Sequence, residues 1–541
     1  MYNSRDGQGV VNHYVDTGYG LTIDSISTKN AGYIRSWELA TISKTYNGTT
    51  INELLDLISK LNANLNTKSE NCKDILVIYT DKLARAKGFL NNWITDTFGD
   101  IYFDINNVRF MDITKWNNEV HTASDIATHA EFLHKSVFIP LKKHCITPSQ
   151  ITRTKLKRAC KDEKIKDIYP GTYLEEYIRK AYYGGIVMLK CPHLLIEGDL
   201  IELDRTSAYI YDLLIEKHCS TALTRVDENT WSYYLDTPNL VSFGKYKIKY
   251  TSTDPLINVF KNELGDDLEL GKHKEAIIAL NSIDLCTFKE LATIEEIECY
   301  TLFESKLDYL PKGFRDTVAE EYIKKYKLSG RERELQKKIL NSIYGDCLST
   351  YKHDSKYKVY YNTPQWGILT ASYARRNLLK LAKNVVGWIY SDTDSIYCDN
   401  CVETKIALDN YNSLIKAKVL NYCSKFGYEI LPQLGEFKVE CYITRFIAHA
   451  QKQYAFEKVD GEVVSKSSGC NIDPPKTKEE KDKLFHQKKL VGGTRTYNMY
   501  TTEHHEDTID GIHYESDCSC YEKTIKIGSK EDYLYGSALI L

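Results

Sequence analysis

The chain has 541 residues, too many for one compact core, so three or more subdomains are expected. Hydrophobic residues make up 42% and charged residues 27%, the balance of a soluble globular protein. A net charge of −3 excludes a global electrostatic pull toward nucleic acid, so any grip on such a polymer must come from local basic surfaces.

The opening MYNSRDGQGVVNHY lacks the apolar stretch of a secretion signal, and no later run approaches a membrane span. The 15 cysteines are scattered, which fits free thiols in a reducing cytoplasm. Strand-like runs (Leu76-Val77-Ile78-Tyr79, Ile101-Tyr102-Phe103) alternate with helical periodicity over Ile51 to Leu61, predicting an α/β domain that ends near residue 140. The basic run from Arg153 to Arg158 reads as a solvated helix face. Ala181-Tyr182-Tyr183-Gly184-Gly185 reads, taken alone, as a turn. Residues 196–203 form a turn and a short strand running into Asp204, and Ser207 to Lys217 has helical spacing. Two helices follow, Phe314 to Lys327 and Arg331 onward, separated by Ser329-Gly330, with Gly345 placed to end the second or to admit a close neighbour. Residues 366–384 predict a further helix. Trp388-Ile389-Tyr390 and Ser395-Ile396-Tyr397 then flank Asp392-Thr393-Asp394, a hairpin with carboxylates at its tip. Near the end, Cys518-Ser-Cys520 with His504, His505 and His513 is too loosely spaced for a zinc site and reads as surface.

Two of these features bear on chemistry. Carboxylates at a strand end (Asp204) and a hairpin tip (Asp394, with Asp392 beside it) suit paired divalent cations roughly 3.5–4 Å apart, which activate a hydroxyl and neutralise a triphosphate. On the helix after Gly330, Arg333, Lys337, Asn341 and Tyr344 recur every three or four residues and share one face. That stripe is a poor core face: it reads as plain solvated surface or as suited to phosphate oxygens plus a flat base or sugar.

These residues resemble family B DNA polymerases. Asp204-Arg-Thr-Ser207-Ala-Tyr209 resembles motif A (DxxSLYP), Lys337-Lys-Ile-Leu-Asn341-Ser342-Ile-Tyr344-Gly345 resembles motif B (KxxxNSxYG), and Tyr390-Ser-Asp392-Thr393-Asp394-Ser395 resembles motif C (YxDTDS). Tyr182-x-Gly184-Gly185 precedes motif A as the family's YxGG does, and Lys452-Gln-Tyr454 follows as its KxY. Chain length and the wide gap between motifs A and B are similar to the protein-primed branch of phages and linear plasmids.

The resemblance implies a mixed α/β and α+β multidomain fold, a right hand of palm, fingers and thumb behind a ribonuclease H-like, exonuclease-type domain. Its expected boundaries are 1–140 for the exonuclease-like domain, 141–214 for linker and first palm, and 215–312 for an insertion in the place of a terminal-protein region. Fingers are expected at 313–347, palm at 348–455, and thumb with tail at 456–541. It implies two magnesium ions, replaceable by manganese, on Asp204, Asp394 and the Arg205 carbonyl, supported by Asp392. Arg205, Ser207, Tyr209, Arg333, Lys337, Asn341 and Tyr344 would contact the nucleotide, with Tyr209 excluding a 2′-hydroxyl. Tyr182, Gly184 and Gly185 would hold the template strand, and Lys452 and Tyr454 the primer. The implied partners are template and primer DNA, deoxynucleoside triphosphates and a terminal protein, without a membrane, for a monomer in a bacterial host's cytoplasm.

The pattern departs from the family in three places. Ile210 stands where a proline usually follows the motif A tyrosine, which removes a helix-start device. In the first 140 residues the expected DxE becomes Asp24-Ser-Ile26 or Asp16-Thr-Gly18. The second exonuclease segment is Thr80-Asp81-Lys82 to Arg85, without a clear acid, and only Asp125 in HTASD survives from the third. Loss of proofreading is therefore expected. Between Gly345 and Gly367 only a short segment occupies the place of a long β-hairpin, which counts against unaided strand displacement. The competing readings are a reverse transcriptase or RNA polymerase, and a non-catalytic nucleic-acid-binding subunit. The NSxYG helix and the tyrosine gate oppose the first; retention of Asp204, Asp392, Asp394 and Lys337 opposes the second.

Overall fold

The computed structural model describes residues 2–5, 11–27, 31–63, 72–98, 102–116, 122–141, 147–349, 361–467, 477–486, 494–501, 504–516 and 519–526. The chain divides into two compact units, 1–151 with 494–541, and 152–493. Among the described residues no helix is long and apolar enough to cross a membrane.

The first unit is built on a mixed sheet. Its central strands Val11–Ser27, Cys72–Thr80 and Val108–Asp112 are parallel neighbours, and antiparallel strands extend it on both sides. The helix Ile51–Ala63 buries Leu54, Ile58 and Leu61, spaced three or four residues apart, against Leu21, Ile23, Leu76 and Ile78. The helix Ala123–Leu133 covers another part of the sheet, packing Ala123 and Ala127 on Ala40. It approaches so closely that a Cβ on Gly20 would lie 2.3 Å from the Ala123 carbonyl oxygen, so only glycine fits there. An α/β domain ending near residue 140 was expected, and the first 141 residues have that composition of elements. The tail was expected to continue from residue 456, yet 494–541 groups with this unit: Tyr33 donates a 2.7 Å hydrogen bond to Asp507 Oδ2, and its ring lies 5.8 Å from that of Tyr514.

The second unit begins in helix α1 (Pro148–Ala159) and reaches strand β1 (Ile186–Leu189), strand β2 (Ile196–Arg205) and helix α2 (Ala208–Ile215). Then come β3 (Leu240–Ser252), β4 (Gly271–Asn281), helix α3 (Ser282–Leu291) and β5 (Thr293–Asp308). Helices α4 (Lys312–Lys327), α5 (Gly330–Leu348) and α6 (Pro364–Ala382) follow. The hairpin β6 (Tyr390–Thr393) and β7 (Ser395–Asp399) leads to helix α7 (Val402–Phe426), then β8 (Phe437–Ala450), β9 (Gln453–Lys458) and β10 (Val463–Ser467).

Two antiparallel sheets organise this unit. One has the order β10-β9-β8-β2-β7-β6-β1, and β5, β3 and β4 form the backbone of the other. Strand β2 is central and, from Leu200 on, buried on both faces. Ile201 and Leu203 enter the main core, while Leu200 joins Ile389, Tyr390 and Tyr397. Helix α6 runs through the core almost wholly buried, and several of its polar groups bond inside it: Gln365 donates to the Ile168 carbonyl at 2.9 Å and Asn377 to Asp212 at 2.8 Å.

The predicted helices at 313–347 and 366–384 and the acidic hairpin are all present, with small shifts at their ends. Gly345 does not end its helix, which continues to Leu348, and among the described residues nothing lies within 4 Å of where its Cβ would be. The basic run of α1 is not simply solvated. Arg153 pairs with buried Asp346 at 2.7 Å, and Lys155 with buried Glu321 at 2.6 Å. Most of the short segment after Gly345, residues 350–360, lies outside the described residues.

Candidate active site

Three strands bring the acidic residues together. Asp204, near the end of β2, pairs in register with Ser395 of β7 and Lys438 of β8, while Asp392 of β6 pairs with Ser395. The β6–β7 tip is tight: Thr393 is left-handed (φ 66°), and the Asp394 N–H donates to the Asp392 carbonyl at 2.8 Å. The Arg205 N–H donates to the Asp394 carbonyl at 3.0 Å, fastening the tip to the end of β2 beside Asp204.

Burial and then the Asp204 charge push the Asp394 carboxyl up to about 6. Burial raises Asp204 as well, against the pull of Lys438 and Lys337. Two part-buried carboxylates, each with raised proton affinity and offering only oxygen donors, fit a magnesium-class cation. The donors are a pair: among the described residues, no group of three or more His, Cys, Asp or Glu converges as a metal site. Asp392 stands to one side, 3.9 Å from the Lys452 ammonium.

Aromatic and basic groups surround this pair. Ser207 is left-handed (φ 49°) and starts α2, which presents Tyr209. The Tyr209 ring stacks on Tyr344 of α5 with centroids 4.1 Å apart and planes 11° off parallel. The Tyr344 hydroxyl lies 3.2 Å from that of Tyr182. Burial, then the nearby Asp394 charge, raises the Tyr209 phenol. Arg333, Lys337 and Asn341 are exposed along α5, on the stripe read from their spacing. Lys325 of α4 joins this group without any motif of the sequence pointing to it. Its ammonium donates to Ser207 Oγ at 2.7 Å, and burial followed by Lys337 and Arg333 lowers its pKa. Lys325 and Ser207 are 118 residues apart, and no local pattern links them.

Two candidates lie elsewhere than expected. The Arg205 guanidinium is buried and forked onto Asp212 at 3.0 and 3.1 Å, so its side chain cannot meet a nucleotide, leaving only backbone groups at the site. Tyr454 is 1% exposed and packs on Tyr390, with its hydroxyl 3.3 Å from that of Tyr397, so it is not a surface contact for a strand of nucleic acid. Both placements follow from strand alternation: Arg205 must face opposite Asp204, and Tyr454 shares a face with buried Phe456. Lys452 is exposed in a left-handed turn position (φ 59°), its N–H donating to the Tyr390 hydroxyl at 2.9 Å. Tyr182 is 39% exposed and Gly184 is exposed, while Gly185 faces the site.

In the first unit Asp24 is more than half exposed and 3.8 Å from Arg35, and Asp125 lies in the first turn of its helix, capped by Thr122. Asp104 is committed to buried Arg109 at 2.8 Å, and Asp112 caps Thr114. Lys82 precedes the helix Leu83–Phe89, and the Arg85 guanidinium donates to the Ile23 carbonyl. Asp100, His121, Cys518 and the side chains of Asp16, Asp74 and Cys520 lie outside the described residues. His504 is exposed and 2.9 Å from Glu506.

No family model matches the chain, and no curated protein does. Among solved structures it is similar to Phi29 DNA polymerase complexed with primer-template DNA, with a TM-score of 0.68 and 15% identity over 95% of this chain and 100% of that one. The ternary complex of Phi29 DNA polymerase with primer-template DNA and incoming nucleotide substrates gives 0.65 and 15% over 94% and 99%. The complex with single-stranded DNA gives 0.59 and 15% over 93% and 99%. At this identity the likeness is one of fold: a mixed α/β multidomain architecture shared along nearly the whole chain.

Proposed function

We propose that this chain is a DNA-directed DNA polymerase of family B, working by two-metal nucleotidyl transfer in replication of phage or plasmid DNA. The observation that carries this reading is the meeting of Asp204 and Asp394 at one strand end, beside the stacked Tyr209–Tyr344 pair and the cations of α4 and α5. The solved structures of like fold hold primer-template DNA and nucleotide, which supports DNA and deoxynucleotides as partners.

In this reading Asp204, Asp394 and the Arg205 carbonyl would hold magnesium, or manganese in its place. A metal held there would supply Lewis acidity toward a 3′-hydroxyl and positive charge toward the pyrophosphate leaving group. Lys325, Lys337 and Arg333 bind the triphosphate oxygens, and Ser207 keeps Lys325 in place. Tyr209, braced by Tyr344, occupies the space of a 2′-hydroxyl, and Asn341 and Tyr344 shape the nascent base pair. Tyr182 and the glycines receive the template, while Lys452, on a hairpin supported from inside by Tyr454, holds the primer strand. The β1, β2 and β6–β10 sheet is then the palm, α4 and α5 the fingers, 215–312 the insertion open to a terminal protein, and the first unit an exonuclease-type domain without proofreading.

The test is primer extension with magnesium, comparing wild type with Asp204→Ala and Asp394→Ala. Each variant is expected to lose extension by several orders of magnitude, because every 1.36 kcal/mol of lost transition-state stabilisation is about tenfold in rate. Near wild-type extension by either variant defeats the assignment.

A further inference from the structure

The Tyr182–Gly185 loop, exposed at Tyr182 and Gly184, lies directly on the site. A Cβ on Gly185 would come within 2.8 Å of Thr393 Cγ2 and 3.2 Å of the Tyr209 hydroxyl.

Behind the loop, its backbone is held by groups from a distant stretch of chain. Arg375 of α6 donates through Nη1 to the carbonyl oxygens of Tyr183 and Gly184, the latter at 2.8 Å. Its fork is gripped by Asp284 of α3, with Nη2 at 2.8 and 2.7 Å and Nε at 3.1 Å from the carboxylate oxygens. Both side chains are 0% exposed. Asp284 is itself held: Ser372 Oγ donates to it at 2.7 Å and Asn281 Nδ2 at 3.0 Å, while Asn281 Oδ1 accepts the Ile283 and Asp284 N–H groups. A second anchor is Tyr183, whose hydroxyl donates to the Ala279 carbonyl at 2.8 Å and whose ring meets Phe260 edge-on at 5.2 Å.

A planar fork in a dry, fully bonded setting has no solvent partner to exchange with, so it fixes position tightly. Residues 260, 279, 281 and 284 all belong to the 215–312 segment, and none touches the carboxylate pair. We infer that Asp284 and Tyr183 are positioning residues, through which the 215–312 segment holds the loop that receives the template strand. This rests on the polymerase reading above. Its consequence is a mechanical link: whatever displaces α3 or β4 changes the grip on template without altering the groups that perform transfer.

The experiment compares wild type with Asp284→Asn and Tyr183→Phe. It measures the Kd for a primer-template duplex without nucleotide, kcat at saturating duplex, and amide hydrogen exchange over residues 182–186, with thermal melting as the fold control. Asp284→Asn is expected to weaken duplex binding about tenfold, equivalent to 1.4 kcal/mol. Tyr183→Phe should weaken it by a smaller factor, with faster exchange in the loop and kcat within about twofold of wild type in both. Unchanged exchange and duplex affinity in a folded variant overturn the inference, as does a fall in kcat at unaltered Kd. If Asp284→Asn does not fold, Tyr183→Phe decides alone, since it keeps the ring and removes one hydroxyl. A wild-type chain that binds no duplex sinks the polymerase reading instead, and loop exchange then decides by itself whether Asp284 and Tyr183 hold the loop.

Discussion

Asp394 is held in a setting that opposes its own charge, and this has a cost in stability. Its folded pKa of about 6 stands above the usual value of 3.8 because of burial and the Asp204 charge. A carboxyl that binds its proton more tightly when folded favours the fold at low pH. That advantage is whole below about pH 4 and gone once pH rises past about 6. Asp394→Asn removes the burden, so without divalent cation it should stabilise the protein at pH 8 by up to about 3 kcal/mol, at 1.36 kcal/mol per pH unit. At pH 4 the difference should vanish. Thermal melting at both pH values checks this, and added magnesium should raise the Tm of wild type but not of the variant. Equal Tm values at pH 8 would remove the electrostatic argument. At the same scale, Tyr209 is fixed by its 4.1 Å stack on Tyr344, so it can discriminate by overlap with a hydroxyl. Tyr209→Val should raise ribonucleotide incorporation while deoxynucleotide incorporation survives. Steady-state kinetics with both sugars test it, and an unchanged ratio of efficiencies counts against the gate.

Helices α4 and α5 act together as one cationic element. Lys337 and Arg333 lie on the exposed stripe of α5, and Lys325 on α4 is near enough to both that they depress its pKa. Three cations crowded around a part-buried position repel one another, and an incoming polyanion relieves that repulsion. Lys325→Ala should therefore raise the KM for nucleotide by about tenfold or more, the range expected when a charge-assisted hydrogen bond of about 1.5–3 kcal/mol is lost. The KM for primer-template duplex should stay near wild type. A change in duplex KM alone would place Lys325 on the wrong ligand. The stripe on α5 was legible because helical periodicity is local: residues three and four apart must share a face whatever surrounds them. The partnership of α4 with Ser207 was not legible, because tertiary packing alone brings it about.

At the scale of the whole molecule, the first unit has an α/β sheet packed by helices, yet among the described residues three of its acids serve separate roles. Asp104 neutralises a buried arginine, Asp112 caps a turn, and Asp24 is largely in solvent. Hydrolysis by two metals requires several carboxylates from separate segments at one point. The expected outcome is no mononucleotide release from a labelled, mismatched 3′ end incubated with magnesium or manganese and no nucleotides. Robust release that disappears in Asp125→Ala but persists in Asp204→Ala would restore proofreading.

What the sequence by itself determined was short-range: the carboxylates at a strand end and a hairpin tip, the polar stripe of α5, and the order of the elements carrying them. Strand alternation also contained two facts that the motif resemblance obscured, the inward turn of Arg205 and the burial of Tyr454 beside Phe456. Only the tertiary structure decided which distant groups meet. It joined Lys325 to Ser207, set Arg375 between Asp284 and the Tyr182–Gly185 loop, and grouped residues 494–541 with the first 151. The reason is physical: periodicity assigns a side chain to a face of its own helix or strand, whereas its partner depends on which faces the packed core presses together.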